Sequence, residues 1–160
     1  MVKRPHPPTA DRDDLSRDRA DFTVEADGSL QAMGRAASAL HDWLNARQLE
    51  AQVRYAVELS FDELVGNAIR HADPERASPR VRFAVDVEDG HVGVVIEDDG
   101  APFDPTRQPS PPAPTSLADA PPGGRGIAMV RKVARRFDYR RVDGRNRITL
   151  EIARGSLPRA

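Results

Sequence analysis

Three short stretches of this chain hold residues that could do chemistry together. The first is ELVGNAIRHA, residues 63 to 72, where Glu63, Asn67 and His71 recur at every fourth position. On a helix that spacing puts them on one face. Glu63 can then take a proton from an attacking hydroxyl or water. The Asn67 amide oxygen is a hard ligand of the kind that suits Mg2+. The same pattern also describes an exposed polar helix face with His71 near its C-terminal end, and the stretch alone does not choose. The second is VVIEDDGAPFDP, residues 94 to 105, where an apolar run stops at Glu97, Asp98 and Asp99 and Gly100 follows. Glycine allows a turn that other residues resist. An ionised carboxylate only accepts hydrogen bonds, so Asp98 suits an exocyclic amine such as adenine's. The alternative is a turn in which Asp98 and Asp99 bond to nearby backbone amides. The third is GGRG, residues 123 to 126. Its glycines let the backbone approach a phosphate, a helix N-terminus favours an anion, and Arg125 adds a positive charge. No GxxxxGK[ST] occurs, so this is not a P-loop. A glycine pair before a helix also serves as a flexible joint.

The elements that must position these groups can be read from apolar spacing. DFTVEAD, residues 21 to 27, alternates as a short strand. Leu30, Met33, Ala37, Leu40 and Leu44 mark a helix to about Arg47, capped by Asp27 or Ser29. Val53, Val57, Leu64 and Ala68 give a second helix from about Glu50 to His71, which Asp73-Pro74 ends. RVRFAVDVE and HVGVVIED read as strands joined at Asp89-Gly90. GGRGIAMVRKVARRF reads as a glycine-led helix, and FDYRRV and RNRITLEIA as a hairpin about Asp143-Gly144. The order predicts a two-layer α/β sandwich, with a mixed, mostly antiparallel sheet and helices on one face.

Composition limits the chemistry. The chain has 160 residues, 24 Lys and Arg, 25 Asp and Glu, a net charge of −1 and no cysteine. Near-neutral charge gives no reason to expect nucleic acid or an anionic membrane as the main partner. Thiolate metal sites, disulfides and cysteine nucleophiles are excluded. No apolar run approaches the ~18 residues of a membrane span, and the N-terminus lacks the apolar core of a secretion signal. A soluble cytoplasmic protein is the expectation. Residues 1 to about 20 are rich in proline and charge and are expected to be a disordered tail. Residues 106 to 122, TRQPSPPAPTSLADAPP, form a second such stretch, read as a loop within one domain spanning 21 to 153. Residues 154 to 160 are a C-terminal tail.

Taken together, Glu63-x-x-x-Asn67, Asp98-x-Gly100 and Gly124-x-Gly126 resemble the N, G1 and G2 boxes of the histidine-kinase-like (GHKL) ATPase superfamily. The resemblance covers about residues 21 to 153 and implies the Bergerat ATP-binding fold. It implies ATP and Mg2+ as cofactors, with Glu63 as general base and Asn67 as the magnesium ligand. Asp98 would bind the adenine amine above the Gly100 turn, and Gly124, Arg125 and Gly126 would meet the phosphates. Thr149 falls where the superfamily often has a polar residue near adenine, and residues 106 to 122 fall where it has its ATP lid. Phe103 is read as packing beneath that lid.

The short single-domain form with D-x-G-x-P-F-D-P is similar to bacterial anti-sigma-factor serine protein kinases. That likeness implies phosphorylation of an anti-anti-sigma (STAS-domain) protein, exchange of that partner for a sigma factor, and a homodimer. One position departs from the pattern. Where many members have a second glycine in the G1 box, this chain has Pro102, which fixes φ and removes an amide donor. The alternative reading is therefore a non-catalytic ATP-binding module that acts by partner exchange. A sensor histidine kinase fits less well, because His41 in ALHDWL has no upstream helix to pair with.

Overall fold

The computed structural model describes residues 20–72, 79–109 and 125–155. The expected N-terminal tail up to residue 19, residues 110–122 of the expected lid, and Gly124 lie outside the described residues. Five strands, β1 (Phe22–Ala26), β2 (Val81–Val87), β3 (His91–Asp98), β4 (Arg136–Val142) and β5 (Arg145–Ala153), form one sheet in the order β1-β2-β3-β5-β4. All four pairings are antiparallel. The expectation of a mixed sheet is corrected in this respect. One helix separates β3 from β4, so these two strands run the same way. β5 inserts between them, and they never pair.

Helix α1 (Leu30–Asn45) starts at Ser29, whose hydroxyl accepts from the Ala32 amide at 3.1 Å. This satisfies one of the free donors of the first turn. Ala32, Ala36, Leu40 and Leu44 recur on its buried face. Alternate residues of the central strands face the helices: Phe83 and Val85 on β2, Val92, Val94 and Ile96 on β3, and Ile148, Leu150 and Ile152 on β5. These side chains join those of α1, α2 (Ala51–Ser60) and α4 (Arg125–Val133) in one core. The β4–β5 hairpin turns at Asp143 (φ 48°) and Gly144 (φ 75°). Positive φ at both central residues is what a two-residue turn needs to match strand twist.

The second long helix is not regular. After Ser60 the chain makes one π-helical turn, Phe61–Val65, and then resumes as α3 (Gly66–Arg70). The Ser60 hydroxyl, fully buried, donates to the Ala56 carbonyl at 2.7 Å. Such back-bonding loosens a helix where it occurs. Packing holds the widened turn in place, since Phe61, Leu64 and Val65 are buried and Phe61 meets Phe83 edge-on at 5.1 Å.

Candidate active site

Register explains the centre of the site. Asp98 on β3 pairs with Asn146 on β5, and Asn146 pairs with Arg141 on β4. Directly opposed residues on one face lie within reach of one another, so the three side chains form a row. Asn146 Nδ2 donates to Asp98 Oδ1 at 2.8 Å and to the Ala101 carbonyl at 2.8 Å. Its Oδ1 accepts from Arg141 Nη1 and the Tyr139 hydroxyl, each at 2.8 Å, and from the Phe103 amide at 3.4 Å. Asp98 Oδ1 also takes the Gly100 amide at 2.9 Å. Oδ2 has no donor among the described residues. Burial pushes the Asp98 carboxyl above its usual range, against the pull of the Asn146 amide, the Gly100 amide and Arg141.

Gly100 is needed for space. Its φ is not positive, so the expected special turn is corrected. A β-carbon there would lie 2.9 Å from Asp98 Oδ1 and 3.4 Å from the His71 carbonyl oxygen.

Asp98 and Asn146 share a cavity of about 10 Å3 with Leu64, Asn67, Ala68, His71, Phe103, Pro105 and Ile148. That is about the smallest space that holds one water. Two rings close it: His71 and Phe103 stack with centroids 4.0 Å apart and planes 13° apart. The next residues, where the expected lid begins, form a short 3-10 turn, Pro105–Arg107, capped by Asp104. Arg131 of α4 reaches across, and its Nη2 donates to the carbonyls of Thr106 at 3.2 Å and Gln108 at 3.0 Å. Removing this grip with Arg131→Ala is expected to speed tryptic cleavage after Arg107, followed by mass spectrometry. An unchanged rate would mean that the turn holds itself.

Glu63 is placed differently from its helical neighbours. Asn67 and His71 line the cavity, but Glu63 lies against the start of α4. A β-carbon on Gly126 would sit 1.7 Å from Glu63 Oε2 and 1.9 Å from Cδ. The π turn adds a residue to the local repeat, so Glu63 and Asn67 are not plain neighbours one α-turn apart. Only because residue 126 is glycine can the carboxylate rest on the helix N-terminus. Arg125 opens that helix, and its Nη2 is buried without a hydrogen-bond partner among the described residues. Asn67 Oδ1 accepts from the guanidinium of Arg70, three residues on.

The structure thus brings Asn67, Asp98 and Gly100 to one place, and Glu63, Arg125 and Gly126 to another beside it. Thr149 belongs to neither. It alternates out of phase with Asn146, Ile148 and Leu150 and lies on the far face of the sheet, with Asp138, Arg140 and Arg147. The reading of Thr149 as a residue of the Asp98 site is corrected on that ground. Asn146 was missed, although the signal was present: in RNRITLEIA it is the one polar residue in the apolar phase.

Among the described residues no helix is long and apolar enough to cross a membrane. None of their Asp, Glu and His residues gather in threes that could hold a metal ion.

Comparison with known proteins agrees with this geometry. The chain is 35% identical over 100 residues to serine/threonine-protein kinase BtrW of Bordetella bronchiseptica, which spans 62% of this chain and 70% of that protein. Its fold is similar to a solved structure of RsbU and RsbW domains from Mycobacterium tuberculosis (TM-score 0.54, 18% identity, 84% of this chain). It spans only 34% of that longer chain. The catalytic domain of histidine kinase ThkA aligns over 83% of this chain and 98% of its own, at 15% identity and TM-score 0.48. The family described as histidine kinase-like ATPase domain matches residues 27–152, from the end of β1 to the last core residue of β5. That span contains every group described above, and the chain belongs to this family.

Proposed function

We propose that this protein binds Mg·ATP and transfers the γ-phosphoryl group to a serine or threonine of an anti-anti-sigma (STAS-domain) protein, alternating that partner with a sigma factor. The observation that carries the reading is the contact between Glu63 and Gly126. It joins a carboxylate to a helix N-terminus more than sixty residues away, so a proton acceptor and a phosphate-binding end face the same space. In this reading Asp98 Oδ2 accepts from the adenine amine. Arg125 and Gly126, with Gly124, meet the phosphates, and the unpartnered Arg125 Nη2 supplies a charged donor. Glu63 takes the proton of the substrate hydroxyl as its oxygen bonds to the γ-phosphorus and ADP leaves. Asn67 Oδ1, already turned to a cation, would hold magnesium, which supplies charge neutralisation at the phosphates. One protein oxygen suffices for this, because magnesium usually keeps water and phosphate ligands. Kinship with a named serine/threonine-protein kinase supports the transfer step.

The second reading, a nucleotide-binding module without chemistry, is favoured by the Arg70 guanidinium on the Asn67 oxygen and by Pro102. Incubation with γ-labelled ATP and the cognate STAS protein separates the two. A labelled serine or threonine supports the kinase, and nucleotide binding without label supports the module. Gly126→Ala probes the central contact. The added methyl group displaces only the flexible end of Glu63, so the fold is expected to persist. Transfer should fall, but less than when the carboxylate itself is removed. Transfer at the normal rate would mean that the contact has no catalytic role.

A further inference from the structure

Asn146 does more than fill a buried polar position. It is 2% exposed, yet both its N–H donors and its oxygen are used. The assignment of the amide is forced by its neighbours. If it were flipped, its oxygen would face Asp98 Oδ1 and the Ala101 carbonyl, and its nitrogen would face Arg141 and the Phe103 amide. Acceptor would meet acceptor and donor would meet donor. With the amide fixed, Asp98 Oδ1 is held by two donors, and the carboxylate is left one way to turn.

We infer that Asn146 is the positioning residue for base recognition: oriented by Arg141 and Tyr139, it locks Asp98 so that Oδ2 alone meets the exocyclic amine. This rests on the reading of Asp98 as the amine's acceptor. The same amide ties down Ala101 and Phe103, the residues that must part before a base enters. Its hold on Asp98 therefore persists while the loop around it moves. A carboxylate set before binding meets the base without a cost of ordering. It is also the foremost contact holding down a carboxyl that burial pushes up.

The test compares two ligands, ATP and purine riboside triphosphate, which lacks only the 6-amino group. In the wild type, ATP is expected to bind about tenfold more tightly. In Asn146→Ala the two should bind within about twofold, although residue 146 touches neither ligand at that group. A purely structural loss would weaken both ligands and leave their ratio alone. Arg141→Gln, at an exposed arginine, carries the test if Asn146→Ala does not fold, with a ratio between those limits. A ratio that stays near tenfold in the variants that fold overturns the inference. Asp98→Asn, measured beside them, separates the causes. If the ratio survives there, the reading of Asp98 has failed. If it collapses there but survives loss of Asn146, the positioning role alone has failed.

Discussion

Glu63→Gln is expected to cut phosphotransfer by about 100-fold or more while ATP binding changes by less than about twofold. Glutamine keeps the length and shape of the side chain, so the packing against Gly126 survives. What disappears is the ability to take a proton as the substrate oxygen bonds to phosphorus. The groups assigned to the base and the metal, Asp98 and Asn67, lie along the cavity and not against α4. The loss should therefore appear in turnover and not in affinity, a pattern expected of an interaction made only in the transition state. Single-turnover transfer to the STAS substrate, beside calorimetric titration of ATP, reads both. Normal transfer would make Glu63 a structural prop for the helix N-terminus.

Asp98→Asn should weaken ATP binding by tenfold or more, about 1.4 kcal/mol, without harming the fold. The asparagine oxygen can still accept from Gly100 and Asn146, which leaves its amide nitrogen, a donor, to face the adenine amine. Stability should move the other way. Burial raises the folded-state pKa of Asp98 above its model value of 3.8. The folded protein then holds this proton more tightly than the unfolded chain does. The group's favourable contribution is complete below about pH 3.8 and is lost as pH rises through the folded-state value. At neutral pH the wild type carries a buried charge that asparagine lacks. The variant should melt at the same temperature or higher, and its melting temperature should lose this part of its pH dependence. ATP affinity of the wild type should fall as acid protonates Asp98, and that of the variant should not. Equal ATP affinities at neutral pH would remove Asp98 from the site.

Local chemistry in the sequence reached most elements and failed where three dimensions decide. Asp89-Gly90 and Asp143-Gly144 mark both hairpins because turn geometry is set by two residues. Strand phase marks Ile148, Leu150 and Ile152 as core, and the same phase excludes Thr149 and admits Asn146. The error at Thr149 came from preferring a familiar residue type to the alternation around it. The insertion of β5 between β3 and β4 was not legible, because hairpins fix neighbours but not which side of a strand a later hairpin joins. Glu63, Asn67 and Asp98 were legible as chemistry. The π turn that separates Glu63 from Asn67 was not, since it depends on how Phe61, Leu64 and Val65 pack.

That turn makes chain length a guarded quantity in this helix. Deleting one residue between 61 and 65 would let the hydrogen bonding close as an ordinary α-helix, at some local gain. Everything beyond would then rotate by about 100° about the helix axis, as one residue does in a regular helix. Asn67, Ala68 and His71 would turn from the cavity they now line, and Leu64 would leave a core in which it has no exposed surface. Substitutions within the turn test single side chains, but a deletion tests the phase of two motifs at once. Drift in this segment should therefore proceed by exchange of residues and not by change in their number.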